Sequence, residues 1–383
     1  MVRSLRVLVT STHYLPGYKG GGPIKTIKNL FDSTGHEVGF KLITGDRDLG
    51  DDSSYDSVTI GDWNQVGDIP VFYARAGKVG YKEIFNEVYS RDYDLIYLNS
   101  FFSFRFSFFP LLVAKALKQK VVLGPRGEFS EGALRLKWLK KQVFINVFKL
   151  IGFHRYIVFQ ASSCFEEEDI RRVLGNHVDV KIAEDIGSQE FVEEIPVRSC
   201  ETLKAVFVSR ISPKKNLLAA LKILRTVQSP LTYDIYGPIE DQEYWRECEN
   251  VISSLPSHLE VRYKGSLDPN EVVRSLQAYD VFFFPTRGEN FGHVIAEALC
   301  AGLPVVIADT TPWRGLQKHG IGWDIPLNNP KAFSSVLDEL AVMSDEEYRA
   351  LRERVLSWAR NKFSQRDAVE ANIALFKYAY EKK

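Results

Sequence analysis

Short strands that are apolar from end to end, each followed by an amphipathic helical segment, run along this chain in two successive series. No other feature restricts the fold as much. In the first series the candidate strands are 6–10, 38–44, 71–74, 95–98 and 121–123, with helical patterns at 24–31, 82–89, 109–118 and from Glu131 onward. A strand reads as continuously apolar when both faces of its sheet are covered, and the helices between strands supply that cover in a parallel sheet. The pattern restarts with strands at 204–208, 233–236, 260–263, 281–284 and 305–307, interleaved with helices at 217–224, 244–253, 270–276 and 293–300. Between the series, 186–200 is polar, acidic and not periodic, which suits an interdomain linker. The expected fold class is α/β: two Rossmann-like, doubly wound domains facing each other across a cleft. The boundaries are 1–190 and 191–365, with a terminal helix, 366–383, free to return to the first domain. A length of 383 residues accommodates two such domains.

Composition narrows the partners. Lys+Arg and Asp+Glu both number 49 and 45% of residues are apolar, so there is neither a nucleic-acid-type basic excess nor a disorder-type charge excess. Cys164, Cys200, Cys248 and Cys300 are far apart and form no C-x-x-C pair, which points to neither a zinc site nor a disulfide framework. A reducing cytoplasm fits that pattern. The opening residues, from Met1 to Arg6, lack the apolar core of a signal peptide. The most apolar stretch, 100–114, is interrupted by Arg105 and Pro110 and falls short of a span. Segment 134–149 mixes cations with large apolar residues at helical spacing. That composition suits peripheral contact with an anionic inner-membrane face, although a domain helix with its aromatic side in the core is the plainer reading.

Three motifs carry chemistry. The run 287–299, R-G-E-N-F-G-H-V-I-A-E-A-L, follows an apolar strand and opens a helix near Gly292. The unpaired N–H groups and positive dipole end of such a terminus favour an anion. Glu289 in the loop and Glu297 on the helix, one turn beyond His293, could both reach one ligand; the blander reading is a cap and a solvated helix residue. A second motif puts Arg210 at a strand end and Lys215 at the next helix start, two cations suited to clamping a diphosphate without a metal. A third, 16–23, P-G-Y-K-G-G-G-P, has Gly20, Gly21 and Gly22 where a backbone can approach a bound group closely.

The order of these motifs resembles glycosyltransferase family 4, retaining enzymes of the GT-B fold: glycine loop, Arg-x4-Lys, then Glu-x7-Glu within E-N-F-G-H-V-I-A-E-A-L-C-A-G-L-P-V-V. The resemblance implies a nucleotide-sugar donor held mainly by the C-terminal domain, with Arg210 and Lys215 on its diphosphate and Glu297 on the ribose hydroxyls. Glu289, with Asn290, Phe291, Gly292 and His293 around it, would hold the hexose. Many members carry His-Gly after a late N-terminal strand, whereas this chain has G-P-R-G-E-F at 124–129, similar to a subgroup with Pro-Arg-Gly there. Arg126 stays protonated and so enters as an electrostatic candidate only.

The activity expected from this resemblance is transfer of a hexose, UDP-glucose being the favoured donor, to a hydroxyl of a glycan or lipid-linked glycan with retention of configuration. No cofactor and no metal are expected: the D-x-D strings at 46–48 and 92–94 stand apart from the phosphate cations. A nucleotide-sugar epimerase on the same fold and a catalytically silent nucleotide-sugar-binding scaffold are the rival readings.

Overall fold

A computed structural model describes residues 4–135, 137–197, 202–364 and 366–382. Met1 to Arg3 of the N-terminus, Leu136 of the basic segment and Cys200 at the end of the linker run lie outside the described residues. The chain divides into two units, Met1–Ile186 with Arg366–Lys383 and Gly187–Gln365.

In the first unit, the described residues form a sheet of β1 (Leu5–Thr10), β2 (Val38–Gly45), β3 (Trp63–Val66), β4 (Ile69–Ala74), β5 (Leu95–Asn99), β6 (Lys120–Gly124), β7 (Val158–Ala161) and β8 (Asp179–Ile182). Its order is β3-β4-β2-β1-β5-β6-β7-β8, parallel throughout except for the β3–β4 hairpin. Side chains alternate between the two covered faces. Val7 and Val9 enter one apolar cluster and Leu8 the other, which is why β1 reads as one unbroken apolar run. The final helix, Asp367–Glu381, packs Ile373 and Phe376 into the Val7–Val9 cluster. The Phe376 ring lies 5.2 Å from Tyr97 and 6.0 Å from Phe40.

The second unit contains β9 (Leu203–Val208), β10 (Leu231–Tyr236), β11 (Leu259–Tyr263), β12 (Val281–Phe284), β13 (Val305–Ala308) and β14 (Gly322–Ile325), ordered β11-β10-β9-β12-β13-β14 and parallel at every pairing. Residues 187–197, which the sequence suggested as a linker, lie against this unit instead. Val192 is buried in its core and donates its N–H to the Cys300 carbonyl at 3.3 Å.

Candidate functional site

In the second unit β9 and β12 are neighbours, so the loops that leave their C-terminal ends share one edge of the sheet. The first loop ends in Lys215 and Asn216 before the helix Leu217–Leu224; the second runs from Pro285 to Gly292 before the helix His293–Cys300. They meet in an ion pair. Lys215 Nζ donates to both oxygens of Glu289, at 2.7 and 2.9 Å, with both side chains nearly buried. Thr286, fully buried, gives its hydroxyl to Glu289 Oε1 at 3.1 Å. Asn216 ties the loops a second time: its Nδ2 donates to the Pro285 carbonyl at 2.8 Å and its Oδ1 accepts from Arg287 Nε at 3.1 Å. Asn216 sits at φ 62°, a left-handed conformation that asparagine tolerates better than most residues. Arg287 N–H completes the seam on the Lys214 carbonyl at 3.0 Å.

Gly292 starts the second helix at φ 83°. A Cβ there would come within 3.0 Å of Ile295 Cδ1 and 3.3 Å of Trp313 Nε1, so conformation and space both require glycine. Trp313 fixes the preceding residue, donating its indole N–H to the Phe291 carbonyl at 2.5 Å while its ring packs edge-on against Phe291. Asn290 is half-buried beside them. His293, whose ring lies 4.8 Å from Phe291, and Glu297 one turn on are both buried, so Glu297 is not the solvated helix residue of the blander reading. Arg210 is more open, with Nη1 3.0 Å from Glu240. The structure therefore brings Lys215 and Glu289 into direct contact and holds the Phe291 carbonyl by Trp313, while Arg210 is paired with a different carboxylate, Glu240.

The other expected residues belong to the first unit. Gly20, Gly21 and Gly22 lead into the helix Gly22–Thr34, with Gly21 at φ 67°. Buried Asp48 anchors the loop by accepting the N–H groups of Tyr18 at 2.8 Å and Lys19 at 3.0 Å. Its neighbour Asp46 pairs with Arg47 Nε at 2.9 Å, and Asp92 pairs with Arg6 and Lys41. The two D-x-D strings are thus engaged with protein groups.

Arg126, at φ 57°, has a nearly buried side chain. Its Nη1 donates to buried Asp185 at 2.6 Å, its Nη2 to Asn99 Oδ1 at 2.7 Å and to the Tyr97 hydroxyl, and its Nε to Asn99 at 3.2 Å. Tyr97 continues to Gln160, which reaches Asn372 of the final helix at 3.1 Å. The next residues extend this buried polar cluster. Glu166 accepts the Gly127 N–H at 2.6 Å and both the N–H and hydroxyl of Ser162, and Glu128 accepts from Ser100 and from the Phe101 and Phe102 N–H groups. Burial pushes both carboxyls above their usual range, against the pull of those hydrogen bonds. Through its four contacts Arg126 ties strand ends together.

Thr286, Asn216 and Trp313 were not singled out from the sequence. Only Asn216 carried a signal, as an asparagine immediately before a helical pattern; Thr286 and Trp313 matter through contacts that no spacing announces.

Residues 189–358 match the family described as "Glycosyl transferases group 1". That segment, under half of the chain, is similar to group 1 glycosyltransferases. The fold around that segment is GT-B: sucrose-phosphate synthase from Thermosynechococcus elongatus superposes with a TM-score of 0.75 at 16% identity, covering 99% of this chain and 100% of that one. The Anabaena protein HepE, in complex with UDP and glucose, superposes with a TM-score of 0.69 at 17% identity over 97% and 98%. Among sequence relatives, an "uncharacterized 41.2 kDa protein in cps region" from Klebsiella pneumoniae is 25% identical across 74% of this chain and 79% of its own length. A phosphatidyl-myo-inositol mannosyltransferase from Mycobacterium tuberculosis is 32% identical, but over only 27% of each chain. The Lys215–Glu289 loops and the glycine-started helix lie inside the matched segment, whereas the glycine loop and Arg126 lie outside it.

Proposed function

We propose that this protein is a retaining hexosyltransferase that uses UDP-glucose, without a metal, to glycosylate a hydroxyl of a glycan or lipid-linked glycan. The observation that carries this reading is the nearly buried Lys215–Glu289 pair at the C-terminal sheet edge, beside a helix opened by Gly292. An ammonium and a helix N-terminus at one edge suit a diphosphate. A carboxylate within 2.9 Å of that ammonium suits the hydroxyls of the sugar that the diphosphate bears. The UDP-glucose leaning is supported by HepE, described in complex with UDP-glucose, and by a trehalose-6-phosphate synthase described with UDP-2-fluoro glucose. A lipid-borne acceptor is supported by the mannosyltransferase named above, whose name gives a phosphatidyl-myo-inositol.

In the proposed step the bond from the sugar's anomeric carbon to the diphosphate oxygen breaks, and its electron pair leaves on UDP. The acceptor oxygen bonds to the same face of that carbon, and its proton passes to a phosphate oxygen. Lys215 and Arg210 stabilise the charge that grows on the leaving group. Glu289 is already engaged by Lys215, which supports a role in positioning over one as a covalent nucleophile.

A thermal-shift panel of nucleotide sugars, with and without EDTA, tests the donor. A shift with UDP-glucose that EDTA leaves intact is the expected result; a response confined to GDP-sugars refutes the donor assignment. UDP release on incubation with an acceptor pool, and an α-linked product by proton NMR, test the reaction itself.

A further inference from the structure

The helix Trp138–Leu150 is apolar on two opposite sides. Phe144, Ile145 and Phe148 face the core of the first unit. At about 100° per residue, Leu139, Val143, Val147 and Leu150 form an outer stripe roughly opposite them. That stripe is open to solvent: Leu139 is 69% exposed, Val143 63% and Leu150 89%. Packing explains the inner face and leaves the outer one unexplained, because a soluble helix ordinarily turns polar residues outward.

Charge supplies the second observation. From Glu131 to Ile151, the helix and its approach, the sequence has five Lys and Arg against one acidic residue, Glu131, a local excess of four in a chain whose net charge is zero. Lys137 and Lys140 are exposed at the start of the stripe, and Trp138, 55% exposed, lies between them. Toward the other end, Lys115 donates to the Ile151 carbonyl at 3.1 Å.

We infer that this helix is a docking surface for an anionic lipid bilayer, with its outer leucines and valines entering the headgroup–acyl boundary and Lys137 and Lys140 meeting the lipid charges. An apolar stripe bordered by cations, with an aromatic side chain at its edge, matches the amphipathic character of that boundary. No helix among the described residues is long and apolar enough to cross a membrane, so contact of this kind would lie on the surface and be reversible.

Co-sedimentation of the full chain with vesicles tests this. With phosphatidylcholine containing about 30% phosphatidylglycerol the protein pellets, and raising salt to about 0.5 M releases most of it; with phosphatidylcholine alone it stays largely in the supernatant. The triple variant L139S/V143S/L150S and the double variant K137E/K140E each lower partitioning about tenfold or more, at exposed positions where the melting temperature should hold. The variant K331E, at an exposed position of the second unit, retains binding. Equal partitioning of all variants, or no binding to anionic vesicles, overturns the inference. So does a concentration-dependent dimer in sedimentation velocity that the triple variant abolishes, which would make the stripe an interface between copies. Because none of these residues belongs to the Lys215–Glu289 loops, the UDP-glucose thermal shift should survive in every variant, and either proposal can fail without the other.

Discussion

Lys215 is held by both oxygens of Glu289 and so has two electrostatic obligations once a diphosphate arrives. That competition predicts asymmetric variants. Lys215→Ala removes the cation and strands a nearly buried carboxylate, which destabilises the fold by about 3–5 kcal/mol and lowers UDP affinity at least about tenfold. Glu289→Ala leaves the cation to the diphosphate, so UDP affinity is retained or rises while sugar transfer is lost. In the double variant much of the stability lost in Lys215→Ala returns, because no charge is left unpaired. Calorimetric titration with UDP, melting curves and UDP-release rates separate these outcomes; additive stability losses in the double variant contradict the coupling. Thiol chemistry gives a second check at this scale. Burial pushes the Cys248 thiol up to about 12 and Cys300 well above its usual range, whereas Cys164 is exposed. Iodoacetamide on the native chain should therefore modify Cys164 and spare Cys248 and Cys300 by peptide mapping. Lys215 and Glu289 could be picked out from the sequence as candidate ligand groups, but their mutual pairing could not, since 74 positions separate them and only the adjacency of β9 and β12 closes that gap.

The elements that were easiest to read are those buried on both faces. β1, β2, β5, β6, β9, β12 and β13 are apolar runs because helices cover both sides of their sheets. β3, with the sequence W-N-Q-V, is an antiparallel edge strand whose pattern is not apolar, and β8, D-V-K-I, closes the opposite edge. Neither had the unbroken run that marks a central strand. Arg126 could be picked out as a cation, but its surroundings could not: Asp185, Tyr97 and Asn99, which hold it, are brought in by other segments. The carboxyls around it carry a pH prediction. Because burial raises the folded-state value for Glu166, the native chain holds that proton at pH values where the unfolded chain has released it. The contribution is full below the ordinary glutamate value and is lost as pH rises through the folded value. Glu166→Gln removes this dependence, so the variant's stability relative to the parent should improve as pH rises above the ordinary glutamate range. A difference in urea midpoint that stays flat or moves the other way rejects the assignment.

At the scale of the molecule, two successive series of apolar strands already implied two sheets and left the last helix free to return to the first. Periodicity identifies a helix without naming the surface it covers, and only the contacts of Ile373 and Phe376 with the Val7–Val9 cluster assign it to the first unit. The second unit is therefore an insertion between Ile186 and Arg366, with its own core and its own sheet. Two cores of this kind should melt as two cooperative transitions, since a chain of this length departs from two-state behaviour where its units unfold separately. Phe376→Ala deletes a fully buried ring from the first core, and Phe333→Ala deletes one from the second. Each should cost about 3–5 kcal/mol and lower a different transition in differential scanning calorimetry. UDP, binding at the Lys215–Glu289 edge, should raise the transition that Phe333→Ala lowers and leave the other nearly in place, because a ligand stabilises only the state that binds it. If both substitutions lower one shared transition, the units unfold together; if UDP raises the transition that Phe376→Ala lowers, the donor is held by the first unit and the site assignment is wrong.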